Sequence, residues 1–186
     1  FTSFRGAYLN QKKIKNYSKK FYKIYNKIRR SKGPIFVYSN FKDYGGIKSF
    51  VAFLEYNGYK NYKVYGEGKK RFAIWSSDES DNIKNEIRHT YNLKRNENGS
   101  QIKILLGTPS IKEGVSLLRV EQVHIMEAST PATFIYDETD ISKKALYVKE
   151  IDSVPQGDSS IASALRNAMS EGILKYQTTV EDDNKG

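Results

Sequence analysis

The sequence predicts an α/β domain in which a mainly parallel sheet is flanked by helices. Two apolar runs, residues 35–38 and 102–106, have the length and composition of strands covered on both faces, and each leads into a polar loop. After the first run, apolar residues recur at helical spacing over 47–59, which completes a strand–loop–helix unit. A chain of 186 residues can bury one full core, so we expect a single main domain.

The first 32 residues are predicted to form a basic helical segment that packs on this domain. Lysine and arginine are concentrated there and are interleaved with aromatic residues. Apolar residues recur at intervals of three and four, as on one face of a helix: Ile14, Tyr17, Phe21, Ile24, Tyr25 and Ile28. We expect this face to be buried and the lysines to be solvated. The alternative is a helix whose basic face lines a nucleic-acid channel.

The middle of the chain predicts a further strand and helix. Residues 71–75 read as a strand and 83–91 as a short helix, followed by a polar turn over 94–100. Asp78 or Ser80 is expected to cap that helix. A tryptophan at the end of a strand is more often part of the core than a platform for a nucleobase, so we expect Trp75 to be buried.

A glycine- and lysine-rich segment at 66–70 is predicted to be a hairpin or crossover turn. It resembles a Walker A phosphate loop only superficially, because it lacks the preceding glycine spacing and the Ser or Thr that would hold magnesium. No complete Walker A loop occurs in the chain. The chain is therefore not expected to bind a nucleotide through a Walker A loop of its own.

The segment 102–117 carries the strongest chemical signal. Its strand runs directly into residues 107–114, which include two glycines, two hydroxyl side chains and one lysine. Small residues and free backbone N–H groups allow a loop to approach an anion closely, so this loop can hold phosphate. The alternative is an ordinary connection between a strand and the next element.

The last third of the chain predicts strands and one helix. Residues 120–126, 132–136 and 145–151 read as strands, and 159–176 as an amphipathic helix. The polar tail 178–186 is expected to lie outside the core.

Composition indicates a protein that handles an anionic polymer and excludes several other classes. The chain carries 31 Lys and Arg against 21 Asp and Glu, a formal net charge of +10, which attracts nucleic acid. The absence of cysteine excludes disulfides and thiolate zinc sites, and the two histidines, His89 and His124, cannot form a metal cluster alone. No apolar run is long enough to span a bilayer, and residues 1–10 lack a signal-peptide pattern, so no membrane partner is expected.

Three segments in order resemble a known family. Residues 33–59, 71–80 and 102–127 resemble the second RecA-like domain of superfamily 2 helicases, in the order and spacing of motif IV, the strand that follows it, and motif V. The resemblance covers roughly half of the chain. It is closest to the large cytoplasmic DNA virus helicases, including the poxvirus early transcription factor helicase subunit and nucleoside triphosphate phosphohydrolase I. It implies a RecA-like three-layer domain over 33–177.

The resemblance also implies roles for individual residues. Two groups fall where the family contacts the nucleic-acid backbone, one after the motif IV strand and one in motif V: Ser39, Asn40, Thr108, Pro109, Ser110 and Lys112. A third group falls where the family senses nucleotide across the domain cleft: Glu113, Gly114 and Ser116. Many relatives carry Asp at the position of Ser116, which departs from that pattern.

One expected part of the family pattern does not occur. After Met126 the family should show a helix with a Gln and a Gly-Arg dipeptide, whose arginines reach the γ-phosphate. The chain continues instead with Ala128 and Ser129, and Arg166 lies in a context typical of a helix surface. Either the domain has lost these arginines or their segment is absent from this sequence, and we favour the second interpretation.

The resemblance implies the nucleic-acid-gripping half of an NTP-dependent helicase or translocase, viral and linked to transcription. ATP and Mg²⁺ would be bound mainly by a first RecA-like domain outside this chain. Partners would be DNA or RNA, that first domain, and viral RNA polymerase or transcription factor subunits, in a cytoplasmic viral factory or a virion. The alternative is a non-catalytic RecA-like scaffold, or nucleic-acid-binding module, in a viral transcription or capping assembly.

Overall fold

A five-stranded parallel sheet organises the computed structural model, which describes residues 5–43, 45–113, 115–127, 133–137 and 142–149. The strands are β1 (Ile35–Tyr38), β2 (Lys60–Asn61), β3 (Arg71–Trp75), β4 (Ile104–Gly107), β5 (Val115–Leu117), β6 (Gln122–Ile125), β7 (Thr133–Tyr136) and β8 (Leu146–Lys149). The central sheet has the order β2-β3-β4-β1-β6, and every neighbouring pair in it is parallel. The predicted α/β fold class with a mainly parallel, RecA-like sheet is confirmed.

The two middle strands of this sheet, β1 and β4, are buried along their whole length. Ile35 pairs with Ile104 and Tyr38 pairs with Gly107, so the two apolar runs detected in the sequence lie side by side. Continuous apolar composition, rather than alternation, is what a strand covered on both faces requires. The sheet is covered accordingly by helices on both faces.

In the part of the chain that the structure describes, four helices accompany the sheet: α1 (Lys19–Arg30), α2 (Ile47–Tyr56), the single turn α3 (Tyr62–Tyr65) and α4 (Asp81–Asn92). Short 3₁₀ turns occupy Ala7–Leu9, Ile14–Asn16, Lys94–Asn96 and Pro109–Glu113. Helices α1 and α2 pack on one face of the sheet, and α4 packs on the other. These are the three layers of the predicted architecture. No helix in the described ranges is long and apolar enough to cross a membrane.

The aromatic face of α1 packs against α2. The rings of Phe21 and Phe50 have centroids 5.1 Å apart, and those of Tyr25 and Phe53 are 4.9 Å apart. The prediction for Tyr17 is wrong, because its side chain is 67% exposed. The hydroxyl of Ser18 accepts from the Phe21 N–H and caps α1, so Tyr17 precedes the helix and falls outside its periodicity.

A second sheet, which the sequence did not predict, lies on the α4 side. It has the order β5-β8-β7 and is antiparallel, and it includes the two strands predicted at 132–136 and 145–151. The ring of Phe134 lies 5.7 Å from that of Phe36 and 4.8 Å from that of Tyr38. The small sheet thus shares the core of the large one.

The glycine-rich segment 66–70 is a crossover turn. It connects α3 to β3, and since β2 and β3 are parallel, the hairpin alternative is excluded. Helix α4 is capped by Ser80, whose hydroxyl accepts from the Ile83 N–H, whereas Asp78 forms an ion pair with Lys42. Trp75 is buried, as predicted. The predicted helix at 159–176 and the tail 178–186 lie outside the described residues.

Candidate nucleic-acid interface

Four loops meet at the carboxyl edge of the central sheet. Because β3, β4, β1 and β6 are neighbours and parallel, the residues that follow them lie side by side: Ser76, Thr108, Ser39 and Met126. Ligands of open α/β sheets bind at this edge. The sequence-predicted loops after β1 and β4 are therefore adjacent, although 69 positions separate Ser39 from Thr108 in the chain.

Backbone hydrogen bonds tie each loop to the strand beside it. The backbone N–H and the hydroxyl of Thr108 both donate to the carbonyl of Trp75, at 3.1 and 3.0 Å. The N–H of Ser39 donates to the carbonyl of Gly107 at 3.1 Å, and that of Met126 to the carbonyl of Tyr38 at 2.9 Å. The first residue of each loop is thus held in a fixed position relative to its neighbour.

Glu127 joins the loop after β1 to the end of β6. The hydroxyl of Ser39 donates to Oε1 of Glu127 at 2.6 Å, and the backbone N–H of Asn40 donates to Oε2 at 2.9 Å. The Ser39 hydroxyl also accepts from the N–H of Phe41 at 3.1 Å. Ser39 is fully buried, and Asn40 is half-buried. Ser39 is therefore the residue that fixes this loop, and Asn40 is the more exposed member of the pair.

The loop after β4 is a compact turn. The hydroxyls of Thr108 and Ser110 lie 3.2 Å apart, and the N–H of Ile111 donates to the carbonyl of Thr108 at 2.9 Å. Thr108 is buried, whereas Pro109 and Ser110 are half-buried.

The same 3₁₀ turn contains the backbone of Lys112 and Glu113. Gly114 lies outside the described residues.

The strand β4 must end in glycine to enter this turn without displacing the core. A Cβ at Gly107 would approach the Phe36 ring to 2.9 Å.

Ser116 belongs to a different element from the other predicted site residues. It lies in β5, paired with Tyr147 of β8, and its carbonyl accepts from the side-chain amide of Asn92 at 3.0 Å. It is half-buried. The structure thus places Ser116 in the antiparallel sheet, beyond the loop that carries Thr108 and Ser110.

A lysine of α1 reaches the same edge. The ammonium of Lys20 donates to the carbonyl of Met126 at 3.3 Å, which brings the amino end of α1 beside Glu127. No acidic residue precedes Asp43 in the chain, so α1 contributes only positive charge here. The ion pair between Lys42 and Asp78 links two loops of the edge, but both side chains are about half exposed (45% and 61%), so it stabilises little.

Glu127 and Lys20 are the edge residues that sequence reasoning missed. Glu127 had a detectable signal, because it is the first acidic side chain after a strand expected beside the motif loops. Lys20 had none, since the sequence does not show which end of the basic helix meets the sheet. Within the described ranges no three His, Cys, Asp or Glu side chains gather as a metal site.

No family model matches this chain, but comparison with known proteins finds homologues. A protein of Acanthamoeba polyphaga mimivirus named as an ATP-dependent RNA helicase is 56% identical over 115 residues, which are 62% of this chain and 20% of that protein. The early transcription factor 70 kDa subunit of Rabbit fibroma virus is 35% identical over 126 residues, covering 64% of this chain and 19% of the subunit.

A second mimivirus protein with the same helicase name is 31% identical over 103 residues, covering 52% of this chain and 12% of that protein. The chain spans about a fifth of the length of the first two relatives. The homologues of this chain are thus viral helicases and viral early transcription factor subunits, which confirms the resemblance carried by its three motif segments.

Proposed function

We propose that this chain is the nucleic-acid-gripping second RecA-like half of an NTP-dependent viral helicase or translocase linked to transcription. The observation that carries the proposal is the meeting of the loops 39–40 and 108–110 at one edge of a parallel sheet, fixed by Glu127 and by the carbonyl of Trp75. The names of the relatives, an ATP-dependent RNA helicase and an early transcription factor subunit, support the same function.

Partly exposed side chains would contact the strand, and buried side chains would hold them in position. Asn40 and Ser110 are half-buried and can reach a phosphate, whereas Ser39 and Thr108 are buried and orient them. We propose that Lys112, in the turn Pro109–Glu113, adds a positive charge. Contacts of this kind go to the phosphate backbone, so they bind a strand with little preference for its sequence.

Nucleotide would act across the cleft between two domains. We propose that ATP and Mg²⁺ are bound mainly by a first RecA-like domain and that Glu113, Gly114 and Ser116 respond to the nucleotide from this side. Closure and opening around ATP would move the loops 39–40 and 108–110 relative to the other domain's strand contacts. Besides nucleic acid, the partners would be that domain and viral polymerase or transcription factor subunits, in a viral factory or virion.

Strand binding by the chain tests this proposal. We expect fluorescence anisotropy with labelled single-stranded DNA and RNA to show salt-sensitive binding. The double variant Asn40→Ala/Ser110→Ala should weaken it about tenfold, the loss of roughly 1.4 kcal/mol of contact energy. Asn98→Ala, an exposed asparagine near the opposite edge of the sheet, is the matched control. Equal affinity of the double variant and the wild type would refute the placement of the strand.

A further inference from the structure

A basic cleft lies at the amino edge of the central sheet, opposite the candidate interface. Its volume is about 470 Å³, and it opens between the carboxyl end of α1, the segment after α2 and the residues that precede β3 and β4. Among the residues that the structure describes, three cationic side chains line it, Arg29, Lys70 and Lys103, and none of the described lining residues is Asp or Glu. Small-molecule sites in proteins are clefts of about this size, roughly 300–1,000 Å³.

Lys103 is the most buried of the three cations. Its ammonium donates to the carbonyls of Ser31 and Gly33, at 2.7 and 2.8 Å, and so satisfies two groups at the end of α1. An ammonium has three donors, so one remains. Burial lowers the pKa of Lys103, and the charge of Glu121 opposes this effect only in part. An anion in the cleft would restore the favourable environment that burial removes from this charge.

Arg29 and Lys70 form no ion pair with any residue that the structure describes. Lys70 has φ +55°, an uncommon conformation for a residue with a side chain, and its ammonium lies 5.6 Å from the ring centroid of Tyr59. Tyr25 and Tyr59, both buried, form the apolar wall beside them. Burial raises the pKa of both phenols, to about 12 for Tyr59, and the charge of Arg29 partly opposes the shift in each. Arg29 therefore faces this wall.

Two helices end at this edge, which accounts for some of the positive charge. Cations are favoured near the carboxyl end of a helix, and Lys103 bonds directly to the end of α1. Arg29 and Lys70 make no such bond to any residue that the structure describes, so their charges stay available to a ligand. We propose that this cleft binds a small phosphate-bearing molecule, whose phosphoryl oxygens lie among Arg29, Lys70 and Lys103. The site is separate from the strand-binding edge and does not rest on the function proposed above.

Calorimetric titration of the full chain tests the proposal. The probes are inorganic phosphate, pyrophosphate and ATP, in chloride buffer at constant ionic strength. Arg29→Gln/Lys70→Gln should weaken binding of the tightest probe at least tenfold, and each single change should give an intermediate loss. Arg29→Lys keeps the charge and should stay within about threefold of wild type. The matched control is Lys84→Gln/Arg88→Gln, which removes the same charge from α4 on the other face of the sheet.

The three probes distinguish a site for phosphoryl groups alone from a site for a nucleotide. If pyrophosphate binds as tightly as ATP, the cleft recognises the phosphoryl groups alone; if ATP binds at least tenfold tighter, the ligand is a nucleotide. Either result supports the site when the double variant loses binding and its urea unfolding midpoint is unchanged. Absence of saturable binding for all three probes would overturn the proposal. So would equal weakening by the α4 control, because the binding would then follow net charge.

Discussion

Replacing Glu127 with Ala removes the carboxylate that joins the ends of β1 and β6. Its two oxygens accept from the Ser39 hydroxyl at 2.6 Å and the Asn40 N–H at 2.9 Å. Hydrogen bonds to a charged acceptor each contribute about 1.5–3 kcal/mol. The Ser39 hydroxyl is fully buried and loses its acceptor. Asn40 is half-buried, so its backbone N–H can donate to water instead. We therefore expect the free energy of unfolding to fall by about 2–4 kcal/mol.

Glu127→Gln keeps the side-chain length and one acceptor oxygen, so it should cost about half as much, roughly 1–2 kcal/mol. Urea denaturation of the chain measures both losses. Glu55→Ala serves as the control, because Glu55 is exposed at the end of α2 and its side chain has no partner among the described residues, so its change should stay within about 0.5 kcal/mol. If Glu127→Ala is as stable as that control, the bridge does not hold the two strand ends together.

The same variant tests whether the bridge orients the strand-binding loop. Under conditions where each protein is folded, Glu127→Ala should weaken strand binding about tenfold, because Asn40 loses its fixed position. Asn96→Ala provides a destabilised control, since Asn96 lies on the loop that leads to the amino end of β4, away from this edge. Equal binding by Glu127→Ala and wild type would contradict the positioning role.

Three further predictions concern stability. Asn96→Ala removes a fully buried amide that donates to two backbone carbonyls and accepts from two backbone N–H groups. The free energy of unfolding, measured in urea, should therefore fall by about 2–4 kcal/mol. Gly46→Ala should cost about 3 kcal/mol in the same assay, because a Cβ there would collide with the carbonyl of Phe41, and an unchanged midpoint would contradict the fold of this loop. Burial, with a smaller contribution from a lysine of α1, lowers the pKa of His124 to about 4. The unfolded chain then binds more protons between pH 6.5 and 4, so this histidine costs up to about 3 kcal/mol of stability as pH falls through that range. His124→Gln should remove that loss and exposed His89→Gln should not, as urea unfolding at pH 7 and 4.5 would test.

The central strands were predictable because burial on both faces leaves a continuous apolar run. The predicted and observed bounds agree for β1 and β3, and β4 begins two residues later than the run that predicts it. The strand begins later because both the N–H and the carbonyl of Ile102 bond to the side chain of Asn96, so Ile102 is buried without joining the sheet.

Non-local pairing could not be predicted from the sequence. Glu127 and Ser39 are 88 positions apart, and β5 has three residues, too few for a periodic signal. The predicted site residues divide in the same way. The apolar runs in the sequence predict that Asn40 and Ser110 lie in loops that follow parallel strands. They do not reveal that Ser39 and Thr108 are buried or that Ser116 pairs in another sheet.

Strand-stimulated ATP hydrolysis by the intact protein that carries this chain tests the central claim most directly. The proposal predicts that single-stranded DNA or RNA raises the hydrolysis rate and that Asn40→Ala/Ser110→Ala reduces this stimulation, while Asn98→Ala retains it. The polymer that stimulates more strongly identifies the substrate. Absence of hydrolysis with either polymer, despite salt-sensitive binding of the strand, would contradict a motor and support a RecA-like scaffold.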